Sequence, residues 1–320
     1  ARARSAGRKA AVVGFGMLRP EDADIFYPPW WVGAFIQRAR DAEPQPADPA
    51  WLRVAQHNPG EIFERACAEA GIPAALPALD LSVPSNRLTF GLMSDVRMYD
   101  WVSALATFSD APDLIIAEFL TPDTIQHDVG YKTEAARFAV IQADMAVSRI
   151  LERLRQADKL DEWNIAVMSD HGHSPIEAAL HPEHIIPGTT MQSEGSILIV
   201  APRDADELRT ITERLAAYSV EPYPNTCIPP EYRDQLFLFA APDGMSFEIE
   251  NVDNSVPVGK PKAISSHGLK PGNPGDDRFA LFAGPDVPCG SIASADAVQV
   301  APTLAKLLGL TDRFHAEPIF

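Results

Sequence analysis

The sequence predicts an α/β fold, a parallel sheet with helices on both faces and a small inserted cap subdomain. Three observations predict it. Short apolar runs alternate with stretches whose apolar residues recur at helical spacing. The run Leu114-Ile115-Ile116 is continuous rather than alternating, which suits a strand covered on both faces. Two acids, Asp123 and Asp170, stand just past separate runs, at the carboxyl ends where open parallel sheets bind ligands.

The elements follow in order. The opening Ala-Arg-Ala-Arg-Ser-Ala-Gly reads as a last helical turn, with Arg2 and Arg4 complementing its negative end and Gly7 as C-cap. On that reading residue 1 falls inside a helix, and the expectation is an N-terminally incomplete domain. Ala10–Phe15 is a short buried-type strand. Residues 16–60 are rich in Pro and aromatics and read as a long loop region with short helical pieces. Glu61–Ala70 reads as a helix stopped by Gly71, and Asn86–Thr107 carries apolar residues at helical spacing. The strand run Asp113–Leu120 precedes a long amphipathic helix at Thr133–Gln156. Phe138, Ile141, Met145, Val147 and Ile150 are expected on its buried side. Further strands are expected at Asn164–Ser169, Ser196–Ala201, Leu236–Ala240 and Arg278–Ala283, and helices at Asp204–Tyr218 and Val298–Leu308. Residues 203–262, with Pro222, Pro224, Pro229 and Pro230, fit a small inserted segment within a single domain spanning 1–320.

Composition narrows the function. The chain has 320 residues, 46% apolar and 22% charged, ordinary values for a soluble globular protein. Its 27 basic and 44 acidic residues give a net charge of -17. That charge repels a phosphate backbone, so a nucleic-acid polymer is not expected as a partner. A small anionic substrate remains compatible, because bound divalent metals reverse the sign of the field inside a cleft. Cys67, Cys227 and Cys289 lack C-x-x-C spacing and read as small buried side chains. No apolar stretch reaches membrane-spanning length. Compartment and oligomeric state are not legible.

Three distant segments carry candidate chemistry. Pro122-Asp123-Thr124-Ile125-Gln126-His127 places Asp123 and His127 four apart; if helical, both face one way and grip one ion. The alternative is a capping Asp followed by a surface His. In Ser169-Asp170-His171-Gly172-His173, Gly172 permits a sharp turn that lets Asp170 and His171 bind one metal, against an ordinary strand-end turn. His267, in Ser266-His267-Gly268, is by itself a loop histidine.

Taken in order, these segments and the helix Ala301-Pro302-Thr303-Leu304 resemble the alkaline phosphatase superfamily, in particular the nucleotide pyrophosphatase/phosphodiesterase (type I phosphodiesterase) family. That family's pattern runs Pro-Asp-x-x-Gly-His, Ser-Asp-His-Gly, His-Gly and a Pro-Thr helix; Gln126 replaces the usual Gly. The resemblance implies an alkaline-phosphatase-like fold and two Zn²⁺, with Mn²⁺ or Fe as substitutes. It assigns Asp123, His127 and His267 to one ion, and Asp170 and His171 to part of the second. It also implies an upstream Asp ligand and a Thr or Ser nucleophile, and neither motif occurs before Asp123. This chain alone is therefore expected to be inactive.

The implied reaction is hydrolysis of a small phosphorylated substrate, a phosphodiester or nucleotide pyrophosphate, through a covalent intermediate. Alternatives are a phosphomonoesterase or phosphomutase of the same superfamily, or a degenerate homologue without turnover. His173 is a candidate to orient a ligand, or else a polar residue at the cleft rim. Trp30 and Trp31, within Phe26-Tyr27-Pro28-Pro29-Trp30-Trp31, are candidates to stack on a nucleobase, or else pin a long loop.

Overall fold

A left-handed glycine sets the first turn. Gly7, at φ 76°, ends a short helix whose chain turns back through Gly7 N–H to Arg4 O and Arg8 N–H to Ala3 O. The computed structural model describes residues 2–16, 18, 22–29, 61–76, 84–224, 226, 228–249, 256–270, 272–311 and 314–320. Its helices are α1 (Arg2–Ser5), α2 (Ile62–Glu69), α3 (Pro84–Thr107), α4 (Thr121–Val129), α5 (Glu134–Gln156), α6 (Pro182–Ile185), α7 (Ala205–Ala216) and α8 (Val300–Leu307). Its first strands are β1 (Ala10–Val13), β2 (Ile25–Tyr27), β3 (Leu114–Ala117), β4 (Ile165–Met168), β5 (Ser174–Pro175), β6 (Ala178–Leu180) and β7 (Thr190–Glu194). They are followed by β8 (Ile197–Ala201), β9 (Glu221–Tyr223), β10 (Phe237–Ala240), β11 (Met245–Phe247), β12 (Val258–Gly259), β13 (Ser265–Ser266) and β14 (Ala280–Ala283).

The chain divides into two units, the first comprising Ala1–Pro122, Val140–Ala166 and Leu281–Phe320. Its sheet is parallel, in the order β2-β1-β3, with Val12 opposite both Phe26 and Ile116. Ala11, Val13 and Ile25 of the sheet pack against Phe63 and Cys67 of α2 and Met98, Trp101 and Leu105 of α3. Each large side chain so buried stabilises the fold by roughly 1.5–3 kcal/mol. Trp101 keeps its polar edge satisfied, donating from Nε1 to Pro73 O at 2.9 Å.

The second unit comprises Asp123–Ala139 and Val167–Ala280. Here β7, β8, β10 and β9 form an antiparallel sheet in that order. The helix α7, capped where Asp204 accepts from Glu207 N, lays Ile211 and Leu215 on Leu198, Val200 and Phe239. A second sheet pairs β6 in parallel with β11 and antiparallel with β12. Residues 203–262 thus supply α7 and β9 to β12, whose sheet partners β6, β7 and β8 precede them.

Several expectations change. The run at β3 is half-buried throughout rather than covered on both faces; among the described residues β3 pairs with a strand on one side, β1. On α5, Phe138, Ile141 and Met145 are exposed and Val147 and Ile150 half-buried, while Ala136, Ala139, Ala146 and Leu154 are buried. Two stripes with helical spacing coexist on that helix, and the packed one is the alanine stripe, which permits close approach. Cys67 is buried as expected but Cys289 is exposed, and Cys227 lies outside the described residues. Among the described residues no helix is long and apolar enough to cross a membrane.

Candidate metal centre

The second unit gathers one acid and four imidazoles around a single carboxylate oxygen. Helix α4 carries the acid. Pro122, with no N–H to lose and a helix-compatible φ, suits the first turn. Ile125 is buried against Ala136 and Ala139. Each residue of a helix turns about 100°, so Asp123 and His127 project together from the side opposite Ile125. His127 Nε2 lies 3.2 Å from Asp123 Oδ1.

A two-residue ladder brings in the other segments. Ser174 pairs with Ser266, and Pro175 with Ser265, so His173 and His267 flank the β5–β13 ladder. Ile264 N donates to His127 O at 3.1 Å and Ser265 Oγ to Gln126 O at 2.7 Å, tying the ladder to α4. The turn after β4 is pinned by Ser169 N–H to Phe279 O at 3.1 Å and Phe279 N–H to Ser169 Oγ at 3.2 Å. Gly172 then passes so near the next loop that a Cβ there would sit 2.1 Å from Gly275 O. Only glycine allows that approach.

The result is a convergent set of nitrogens. His173 Nε2 is 2.9 Å from Asp123 Oδ1, His267 Nε2 3.7 Å and His171 Nε2 3.9 Å. The rings of His171 and His267 stack at 3.7 Å between centroids. Two groups meet the spacing of a metal site: Asp123 with His127 and His173, and Asp123 with His171 and His267. Outward nitrogens are engaged elsewhere. His127 Nδ1 lies 2.8 Å from Ser265 O, His171 Nδ1 3.1 Å from Gly172 O, and His267 Nδ1 3.4 Å from Glu194 Oε1. Such partners fix an imidazole with its Nε2 lone pair turned inward, the arrangement that a ligating histidine requires. The donor set, carboxylate and imidazole without thiolate, could hold a divalent metal ion.

Electrostatics agree with a site built for positive charge. Burial alone would raise the Asp123 carboxyl, but hydrogen bonds from His127 and His173 and the nearby imidazoles hold it well below the usual carboxylate range. Burial opposes charging of His127, yet its contact with Asp123 raises its pKa overall. Burial and the neighbouring His171 push His267 down to about 4, leaving it neutral and free to donate a lone pair at neutral pH.

The expected residues therefore do not all take equal places. Asp123, His127, His171 and His267 come together. Asp170 stands apart from both groups: its side chain is 65% exposed, with Oδ1 on His171 N and Oδ2 3.3 Å from His171 Nε2. Trp30 and Trp31 lie outside the described residues. Sequence reasoning offered His173 as a residue that orients a ligand or as a polar residue at the cleft rim, and the fold buries it beside Asp123. It missed Ser265 and Glu194; only adjacence to Ser266-His267 hinted at Ser265, and nothing local marked Glu194.

A sequence profile described as Type I phosphodiesterase / nucleotide pyrophosphatase matches residues 8–231. No curated protein matches the chain in sequence. Among solved structures, human ectonucleotide pyrophosphatase / phosphodiesterase 5 aligns with TM-score 0.62 at 13% identity, over 99% of this chain and 71% of that one. The murine protein of the same name, in an inactive form in complex with AMP, gives TM-score 0.62 at 15% identity over the same shares. At such identities the likeness is one of fold, the mixed α/β, alkaline-phosphatase-like architecture.

Proposed function

The chain belongs to the type I phosphodiesterase / nucleotide pyrophosphatase family, a family of phosphoric ester hydrolases, and from that premise we propose that it serves metal-dependent hydrolysis of phosphodiesters or nucleotide pyrophosphates. The observation that carries the reading is the convergence of four imidazoles on Asp123 Oδ1. In this reading Asp123, His127 and His267 hold one zinc ion, and His171 with Asp170 contributes to a second. Bound zinc supplies Lewis-acid stabilisation of a phosphoryl oxygen and lowers the pKa of a hydroxyl nucleophile.

The chain's own residues do the rest. Asp123 offsets the positive charge that the site accumulates, and Glu194 and the Ser265 and Gly172 carbonyls orient the three imidazoles whose Nδ1 atoms they hold. The nucleophile in this reading is a Thr or Ser hydroxyl. Ser265 is not suited to that task, because its hydroxyl is committed to Gln126 O and His173 Nδ1. The AMP held by the murine structural relative supports a nucleotide-bearing substrate here, with Trp30 and Trp31 as the stacking candidates.

A second reading, metal binding without turnover, is favoured by the exposed position of Asp170 outside both ligand groups. One set of measurements separates them. The chain is stripped with a chelator, reloaded with zinc, and tested for AMP binding and for hydrolysis of a nitrophenyl nucleotide diester against nitrophenyl phosphate. Metal-dependent AMP binding supports the hydrolase even without turnover, because the chain alone is expected to be inactive, and zinc binding without AMP binding supports the second reading. Preference for the monoester moves the assignment to a phosphomonoesterase. Absence of any metal binding by folded protein ends the metal-centred reading altogether.

A further inference from the structure

His173 lies outside the family's ligand motifs, yet its side chain, 3% exposed, sits deeper than those of the candidate ligands within them. Hydrogen-bond accounting shows which nitrogen carries its proton. Ser265, itself 0% exposed, has one hydroxyl proton. Gln126 O, 2.7 Å away, only accepts, so that proton goes to Gln126. His173 Nδ1, 3.0 Å from the same Oγ, must therefore donate to it. A neutral imidazole has a single N–H, and with Nδ1 protonated, Nε2 presents a lone pair to Asp123 Oδ1 at 2.9 Å. Two acceptors so placed need a positive charge between them, either a proton on Nε2 or a metal cation.

His127 repeats the pattern from the other side. Its Nδ1 donates to the carbonyl of the same serine at 2.8 Å, and its Nε2 points at the same Oδ1. Ser265 thus holds two imidazoles at once, one through its hydroxyl and one through its carbonyl.

We propose that His173 is a direct metal ligand, completing with Asp123 and His127 a three-residue site for a zinc-type divalent ion whose two histidines are oriented by Ser265. This rests on the metal-centred reading above and changes one assignment in it: His173 takes the place given there to His267, which groups instead with His171. The competing role for His173 is that of a positioning residue, protonated on Nε2 and donating to Asp123.

The test uses the 320-residue chain with zinc as the probe. Long-range proton–nitrogen correlation spectra of histidine-labelled protein report, without any substitution, which His173 nitrogen bears the proton before and after zinc is added. The expected result is Nδ1–H in the loaded protein, with Nε2 moving to the shift of a metal-bound nitrogen. Chelator competition then gives zinc affinity for His173→Gln, which keeps an N–H donor within reach of Asp123, and for His173→Ala. Both should bind zinc at least about 10–100-fold more weakly, the scale on which even indirect partners of a ligand act. An Nε2–H retained in the loaded protein, or a His173→Gln variant binding within twofold of wild type, overturns the proposal and leaves the metal-centred reading standing. Folded wild-type protein that binds no zinc overturns both.

Discussion

Replacing Asp123 by Asn tests the centre at its hub, because the same oxygen faces Nε2 of His173, His127, His267 and His171 at 2.9, 3.2, 3.7 and 3.9 Å. Either ligand group then loses its only carboxylate. Zinc held at 100 times the wild-type dissociation constant stabilises the fold by about 2.7 kcal/mol, since it binds the native state alone. For a chain of this size that corresponds to a rise in melting temperature of about 5 °C. If the substitution weakens binding by roughly 100-fold, the same zinc concentration yields only about 0.4 kcal/mol and a shift of about 1 °C. The metal-free variant should also be less stable. It gives up charge-assisted hydrogen bonds of His173 and His127 worth roughly 1.5–3 kcal/mol each before solvent screening, and the Asp123 side chain is 34% exposed, so a net loss of about 1–2 kcal/mol is expected. Thermal melts followed by far-ultraviolet circular dichroism, with chelator and with zinc, read both effects. An Asp123→Asn protein that keeps the full zinc-induced shift would refute the reasoning, because no ion bound in either group could then depend on that carboxylate.

Ser265→Ala should lower zinc affinity by about 10–100-fold while costing about 1–3 kcal/mol of metal-free stability, since Gln126 O and His173 Nδ1 both lose a buried partner; calorimetric titration and urea melts measure the two. Gly195→Ala places a Cβ 1.7 Å from His267 O at a φ of 54°, so His267 must shift; weaker zinc binding and a lower melting temperature are expected, and a variant indistinguishable from wild type would contradict the close approach. The metal-free protein should be most stable near neutral pH. His267, pushed down to about 4 by burial and by His171, takes up its proton later than the unfolded chain does, so stability falls as pH drops from about 6.5 towards 4. His127 is raised, so its contribution is complete below about pH 6.5 and is lost as pH rises through its folded pKa. Asp123 is lowered, so its contribution is present above about pH 3.9 and disappears as pH falls below that. Urea midpoints that stay flat between pH 6.5 and 4 would remove the His267 assignment.

The parts of this protein that were legible are those whose physics is local. Asp123 and His127 share a face because a helix repeats every 3.6 residues, and the strand-to-turn sequence ending in Asp170-His171-Gly172 needs only a few residues to make sense. The α5 helix was legible as a helix but not in orientation, because bulky and small apolar stripes coexist and packing chose Ala136, Ala139 and Ala146 over Phe138, Ile141 and Met145. Likewise β3 carries the composition of a covered strand, while among the described residues it is half-buried and pairs on one side only, a property of topology. His267 could be tied to Asp123 only through the order of the motifs, since the ladder that unites them is two residues long.

Ser265 shows why the rest was hidden. It orients His127 through a backbone carbonyl, which any residue at that position would supply, so no side-chain pattern records the contact. It orients His173 through its hydroxyl, which only Ser or Thr at that point could supply with the same proton donated to Gln126 O. The same residue thus separates the two kinds of information: the tautomer of His127 is a consequence of the fold, and the tautomer of His173 is a consequence of the sequence once the fold is given. Ser265→Ala should therefore disturb His173 while leaving the His127 contact intact, and Ser265→Thr, keeping the hydroxyl, should restore zinc binding if its added methyl fits the buried ladder.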